Sequence, residues 1–397
     1  MSRLQKLVVL VIVLCLGAVF ALFVLRSKSP QDDFVAGQEA LARGDWATVS
    51  RQIQRLRRSS AHADQIQLLR GGWLLRTGDP RGAIAELVRV RPDGDLHEQS
   101  LLLLCESFYQ LKQWIDAVAV AQEVLRQHPD HAEAHRWLGA TYFDLGDLLQ
   151  AERHLQELAR LAPQDYSPQR LLGLIHQDFE RYKEAVADFQ EALKRNPPAA
   201  IVEEIRLDLA NALIKQNRFE EALQTLDYPW PPDKVEPRVL RAECFWTMNR
   251  QDEAKRELDH VRQRASGDSK VLWLTARMAL DENRTGEALH SLQQVIAVEP
   301  ANHQALYEIS LAYRKLGKES EAQEFLERRN AAYALFERFV ELNKQAISEP
   351  RNAAVRQELA IVCDQLGKKE LAAVWRDAAA ALKRGEAGTP SNPKRSF

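Results

Sequence analysis

The stretch HPDHAEAH, from His128 to His135, places three histidines within eight residues. Neutral imidazole is a common metal ligand, so this cluster is where a zinc site would be sought first. Zinc would also need a fourth donor and hydrogen-bond partners that orient the rings. The sequence offers neither. The four cysteines, Cys15, Cys105, Cys244 and Cys363, form no CxxC and no close pair, so no zinc ribbon or disulfide framework is indicated. There is no P-loop, GxGxxG, HExxH or GxSxG anywhere in the chain. The expectation is a protein with no metal, no cofactor and no catalytic site.

The histidines take another meaning from the elements around them. His128 and His131 bracket Pro129-Asp130, and His135 follows on the next apolar-periodic stretch. A proline just past a helix end and a polar residue at the next cap are what a helix–helix junction requires. The junction Glu299-Pro300-Ala301-Asn302-His303 repeats the arrangement with a single histidine.

That junction is one of a series. Pro129, Pro163 and Pro197 are 34 residues apart, and Leu138-Gly139 recurs as Leu172-Gly173. A fixed period of this size signals a solenoid whose units bury their faces only by stacking. Ten units are counted, beginning near Pro30, Asp64, Glu98, Ala132, Tyr166, Glu203, Val235, Ser269, His303 and Ala353. At their eighth positions stand Gly37, Gly71, Cys105, Gly139, Gly173, Ala210, Ala242, Ala276, Ser310 and Ala360, none of them bulky. Position twenty is alanine in every unit but the first, where it is Val49. The turn between helices carries Gly44, Gly78, Gly146, Asn217, Asn249, Asn283, Gly317 and Gly367, residues that tolerate a left-handed backbone, with Lys112 and Glu180 as departures.

On these residues the chain, from about residue 30 to 384, resembles the tetratricopeptide repeat, a helix–turn–helix unit of 34 residues. The resemblance implies an all-α, right-handed α-solenoid of about ten such units, residues 30–352 holding the first nine and 353–384 the tenth and a C-terminal cap. The three downstream cysteines fall at interior first-helix positions and read as small core residues. The resemblance also implies a concave surface lined by first helices that holds a protein or peptide partner. Carried over unit by unit, it presents Tyr109, Arg136, Phe143, Arg170, Asn211, Trp246, Trp273, Arg277 and Tyr307. Aromatic and arginine side chains are enriched at binding hot spots, although some of these rings could instead pack between first helices. The family's clamp for a C-terminal carboxylate needs lysine and asparagine four apart; Asn211 has the asparagine position, but Leu207 stands where the lysine should. Chaperone-tail binding is therefore not expected.

Two breaks interrupt the period. Three prolines in DYPWPPD, residues 227–233, end a second helix and make a rigid linker with Trp230 expected to pack down. The other break follows unit nine: its second helix should stop near Ala331, yet Pro350-Arg351-Asn352 closes the unit 16 residues later. The intervening Ala332, Leu335, Phe339, Leu342 and Ala346 form a helical apolar stripe that needs a cover. The expected cover is the last repeat; the alternative is a self-associating protein that dimerises through residues 320–348.

The ends differ from the repeats. Leu7–Leu25 is 19 residues without a charge, about the thickness of a bilayer's hydrocarbon core as a helix, so residues 1–29 are expected to hold an uncleaved transmembrane signal-anchor. Its basic N-terminus favours N-terminus inside, with the repeats outside the cytoplasm. A cleaved signal peptide would leave an apolar stub. Residues 385–397 lack apolar content and are expected to be disordered. The net charge of −2 in 397 residues gives no ground for a nucleic-acid partner. The whole reads as a membrane-anchored, non-enzymatic scaffold; assembly of envelope complexes or chaperoning of secreted clients would suit the layout.

Overall fold

A computed structural model describes residues 29–387, apart from 59, 146, 263, 264, 266, 350 and 351. The expected anchor at 7–25, Cys15 and the turn residue Gly146 lie outside the described residues. Among the described residues there are twenty α-helices, one short 3-10 turn and no strand. No helix among them is long and apolar enough to cross a membrane.

The helices fall into two compact units. The first, up to Val124, contains α1 (Pro30–Arg43), α2 (Trp46–Leu56), α3 (Ala63–Arg76), α4 (Pro80–Leu87) and α5 (His97–Gln110). Helix α6 (Trp114–Gln127) runs across the division. The second unit, from Leu125, continues with α7 (Ala132–Asp144), α8 (Leu148–Leu161), α9 (Ser167–Asp178), α10 (Tyr182–Lys194), α11 (Ala199–Lys215) and α12 (Phe219–Leu226). It closes with α13 (Glu236–Thr247), α14 (Gln251–Arg262), α15 (Ser269–Asp281), α16 (Thr285–Val298), α17 (His303–Lys315), α18 (Glu319–Ser348), α19 (Ala353–Gln365) and α20 (Lys369–Ala387).

The ten position-twenty residues, Val49, Ala83, Ala117, Ala151, Ala185, Ala222, Ala254, Ala288, Ala322 and Ala372, are all at 0% exposure. Each sits where a second helix presses on its neighbours, and a larger side chain would hold the backbones apart. The eighth positions work the same way. A Cβ on Gly173 would lie 2.5 Å from Phe189 Cε1, and one on Gly139 would lie 2.8 Å from Leu155 Cδ2. In both pairs the partner is 16 residues on, so the glycine's empty space receives a large side chain from the second helix of its own repeat. At unit three the corresponding residues are Cys105 and, 16 positions on, the small Ala121, both buried.

The turns keep one conformation despite changes of residue. Gly317 and Gly367 have φ of 72° and 76°, and Asn217, Asn249 and Asn283 lie between 58° and 61°. Lys112 and Glu180, the two departures, adopt it as well, at φ 55° and 57°. Packing of the flanking helices overrides their own preference, which costs about 1 kcal/mol each.

Within the second unit, successive first helices touch one another, α9 with α11, α11 with α13 and α13 with α15. Second helices meet the first helix of the next repeat, as α10 meets α11 and α16 meets α17. The first-helix layer is thus the tighter, inner side of a curve. The curve returns on itself: Arg356 Nε on α19 donates to the carbonyl of Leu145 at the end of α7, 3.0 Å away and 211 residues earlier.

Several expectations are refined. Helix α11 starts at Ala199, one turn before the expected Glu203. Helix α20 continues through Ala387, so residues 385–387 are helical rather than disordered; 388–397 lie outside the described residues. Trp230 does pack down, its Nε1 donating to Leu226 O at 2.8 Å. Helix α18 is continuous for 30 residues. The far part of its stripe is covered from within the chain: Leu342 and Ala346 are buried with Val355, Leu359, Val362 and Leu366 of the last repeat, with Leu335, Phe339 and Trp375 packed alongside.

Candidate interaction surface

The three histidines of the opening stretch serve the junction. His131 caps α7, its Nδ1 accepting from Ala134 N at 3.2 Å. His135 is buried, with Nε2 2.9 Å from Pro129 O and Nδ1 3.0 Å from Nδ1 of His154 on α8. No group of three or more metal-binding side chains occurs among the described residues. Cys105, Cys244 and Cys363 are all fully buried, and burial pushes the Cys244 thiol up to about 12, so none is poised as a nucleophile. His176 is held between Asp188 (2.5 Å) and Glu152 (3.2 Å), both ring nitrogens engaged in tying α9 to α10 and α8.

The nine residues expected on the inner surface behave in three ways. Phe143 belongs to the core, packing against Ala151, Leu155, Leu172 and Ile175. Asn211 turns its amide onto its own helix, Nδ2 donating to Leu207 O at 3.0 Å. Tyr109, in the first unit, is half-buried with its ring edge against Trp114, centroids 5.2 Å apart.

The arginines are already partnered. Arg136 bridges from α7 to Asp165 at 3.0 Å, beside the start of α9. Arg170 on α9 pairs with Glu204 on α11, 34 residues on and one repeat away. Arg277 on α15 reaches Glu308 on α17 at 3.8 Å. Each pair links successive first helices or their caps, so these guanidiniums brace the inner layer as well as lining it. Exposed pairs of this kind are worth up to about 1 kcal/mol each.

The remaining three form the best-defined patch. Trp246 and Trp273 pack partly into the same core cluster around Val239, Phe245 and Leu258, which leaves them half-buried. Arg277 lies over the Trp273 ring, 4.8 Å from its centroid. Tyr307, the residue before Glu308, stays 45% exposed. Trp273 Nε1 and Glu308 Oε2 are both shielded from water and without a hydrogen-bond partner among the described residues. Burial pushes the Glu308 carboxyl up to about 7, against the pull of Arg277 and with the push of Asp281. On α11, burial similarly raises Asp208 to about 6, opposed by Arg170 and aided by Glu204. Sequence reasoning missed these acids because it sought aromatic and cationic hot spots. The spacing of 34 between Arg170 and Glu204 was the available signal. Such a surface can hold a partner by rings, ion pairs and unmet hydrogen bonds.

Comparison with known proteins agrees with the repeat reading. A tetratricopeptide-repeat family profile matches residues 178–228, and a second profile of the same description matches 102–166 and 274–334. A curated relative, a DnaJ homolog subfamily C member 7 homolog of Schizosaccharomyces pombe, is 24% identical over 215 residues, which is 50% of this chain and 44% of that protein. The chain thus spans under half the length of that relative. Among solved structures, a tetratricopeptide repeat protein from Parabacteroides merdae has 16% identity and a TM-score of 0.45, covering 63% of this chain and 99% of that one. YrrB, described as a TPR protein with an unusual peptide-binding site, has 18% identity and a TM-score of 0.39, covering 47% of this chain and 95% of its own.

Proposed function

We propose that this chain, whose sequence matches tetratricopeptide-repeat family profiles over residues 102–166, 178–228 and 274–334, is a non-catalytic scaffold whose inner first-helix surface holds a protein or peptide partner. The observation that carries this reading is the patch on α13, α15 and α17, where Trp246, Trp273, Arg277 and Tyr307 lie on successive first helices beside two shielded polar atoms without partners. Shielded polar groups favour a ligand that supplies their missing hydrogen bonds. Arg136 and Arg170 extend the surface along α7 and α9, and Tyr109 offers a ring on the inner layer of the first unit. The uncharged run from Leu7 to Leu25 supports a tether at the membrane, with the repeats on the extracytoplasmic side.

Position-specific photo-crosslinking in cells tests the groove. A crosslinker at Arg136, Arg277 or Tyr307 is expected to capture one common protein, and a crosslinker at Arg153, Arg256 or Gln294 on the second helices is not. Equal capture from both sets rejects the inner surface. A reporter fused after Phe397 reads the side of the membrane, and activity only on the cytoplasmic side rejects the proposed orientation.

A further inference from the structure

Only three aromatic side chains among the described residues are exposed: Tyr307 at 45%, Tyr333 at 36% and Phe336 at 36%. All three lie together. His303, at the start of α17, sits 5.4 Å from the Tyr333 ring and 5.1 Å from the Phe336 ring. Arg329 on α18 spans the group, 4.7 Å from the Tyr333 centroid and 5.7 Å from that of Tyr307.

The cause is the elongation of α18. In an antiparallel pair, the second helix normally turns away level with the first residue of the first helix, here His303. Helix α18 instead runs on to Ser348, and from Tyr333 onward it has passed the end of α17. One face of the extension is covered by α19 and α20, which bury Leu342 and Ala346. The face carrying Tyr333 and Phe336 is left open.

Charge sets this patch apart from the inner surface. Arg136, Arg170 and Arg277 each have a carboxylate. Among the described residues Arg329 has none: its Nη1 donates to the side-chain oxygen of Asn330 at 3.1 Å, and its Nε is shielded from water without a partner. Burial and the charge of Arg329 both lower the proton affinity of His303, which leaves the guanidinium as the cation of the patch at neutral pH. A guanidinium stacked between rings presents a planar fork matched to a carboxylate, and the flanking rings offer apolar area to the residues beside it.

We propose that Arg329, Tyr333 and Phe336 form a second docking surface, bordering the inner groove at Tyr307, for a partner segment in which a glutamate or aspartate is flanked by apolar side chains. The carboxylate meets the Arg329 fork and its neighbours lie on Tyr333 and Phe336. This surface is carried by α18 and meets the row of first helices at His303 and Tyr307 of α17.

The test uses the purified full-length chain and two fluorescein-labelled amphipathic peptides, one rich in glutamate and leucine, the other with glutamine for every glutamate. The glutamate peptide is expected to bind at least about tenfold more tightly, an advantage that shrinks as salt rises. Arg329→Gln should remove that advantage and leave the glutamine peptide unchanged, and Phe336→Glu should weaken the glutamate peptide while the melting curve stays in place. Arg136→Gln with Arg170→Gln should leave both affinities as they were, which separates this surface from the groove. Equal binding of the two peptides, or no effect of Arg329→Gln, overturns the proposal. So does sedimentation of the chain as a dimer that Phe336→Glu separates, because a second copy would then be the occupant.

Discussion

Arg356 donates through Nε to the carbonyl of Leu145 at 3.0 Å, joining the last repeat of the second unit to its first complete one. The side chain is at 0% exposure, and its Nη1 reaches Glu349 O at 3.5 Å. Burial favours loss of its proton, a tendency opposed by the charge of Asp147 beside Leu145. Leu145 ends a first helix, where carbonyls lack partners within the helix, so the guanidinium caps α7 from six repeats away. A buried cation of this kind fixes geometry more than it adds stability. Arg356→Met, which keeps the volume and removes the charge, is expected to change the unfolding free energy by no more than about 1 kcal/mol. The same variant should broaden the distance between spin labels at Arg153 and Gln357, measured by electron–electron double resonance. An unchanged, narrow distance would mean that the contact does not hold the ends together.

The close approach of paired helices predicts opposite effects for two glycine substitutions. Gly173→Ala drives a methyl to 2.5 Å from the ring of Phe189, which is fully buried and has nowhere to move. Overpacking of this sort costs about 1–3 kcal/mol, and Phe189→Leu in the same chain should recover part of it. Gly286, in the first turn of α16, has nothing within 4 Å of an added Cβ. Gly286→Ala should therefore raise the melting temperature, by the equivalent of about 0.5–1 kcal/mol. Thermal melts of the two variants read the contrast directly.

Glu180 holds a left-handed turn, at φ 57°, that its Cβ disfavours. Glu180→Gly relieves that cost while adding unfolded-state freedom, for a net gain of up to about 1 kcal/mol in a denaturant titration. A loss instead would show that the side chain has an uncounted role in the turn.

How far the fold could be read in advance follows from the same residues. Position twenty, position eight and the turn are constrained within one repeat, so their periodicity is visible in the letters, and the overlong α18 is visible as a missing break. Lys112 and Glu180 look like exceptions in sequence because the turn is imposed by the helices on either side, not by the residue in it. Arg356–Leu145 and His135–His154 leave no trace in the period. The first arises from small rotations accumulated over six repeat-to-repeat steps, and the second from which face of α8 meets α7. At the candidate surface, the rings and cations were foreseeable from helix position. Their pairing was not: Arg136, Arg170 and Arg277 looked free until the neighbouring acids were placed. Arg329, Tyr333 and Phe336 fall within the 320–348 stretch that the sequence marks for self-association, but their grouping with Tyr307 and His303 depends on how α18 lies against α17 and has no signal in the letters.

Acid should loosen the α7–α8 pair. Burial holds His154 down at about 4, with further repulsion from His135 and Arg153 and a smaller opposing pull from Glu157. In the folded chain its Nδ1 faces Nδ1 of His135, whose Nε2 faces the Pro129 carbonyl, so the pair is held when one Nδ1 donates and the other accepts. The unfolded chain binds a proton near pH 6.5 and the folded chain only near 4. Stability is therefore intact above about pH 6.5 and falls as the pH drops towards 4, by at most about 3 kcal/mol before discounting for the partly exposed ring. His154→Phe should flatten that portion of the stability–pH curve and keep the stack against Tyr142, 5.7 Å between centroids. A slope unchanged by the substitution would assign the acid sensitivity elsewhere.

Glu308 should act with the opposite sign. Its carboxyl is pushed up to about 7, so the folded chain holds a proton that the unfolded chain releases near 4.5. The ionised form is a cost that grows as pH rises from about 4.5 to 7 and persists above, and it is relieved in acid. Glu308→Gln keeps the shape and removes the charge, at the expense of the 3.8 Å contact with the half-exposed Arg277. The variant is expected to be more stable than the wild type at pH 8, by on the order of 1 kcal/mol, and indistinguishable from it at pH 4. The substitution also bears on function. If the groove uses this shielded carboxylate to receive a donor from its partner, Glu308→Gln gains stability and loses crosslinking from Arg277 and Tyr307 in the same chain. Gain of stability with crosslinking intact would leave Glu308 as a strained support of the inner layer and assign the contact to Trp273 and Tyr307 alone.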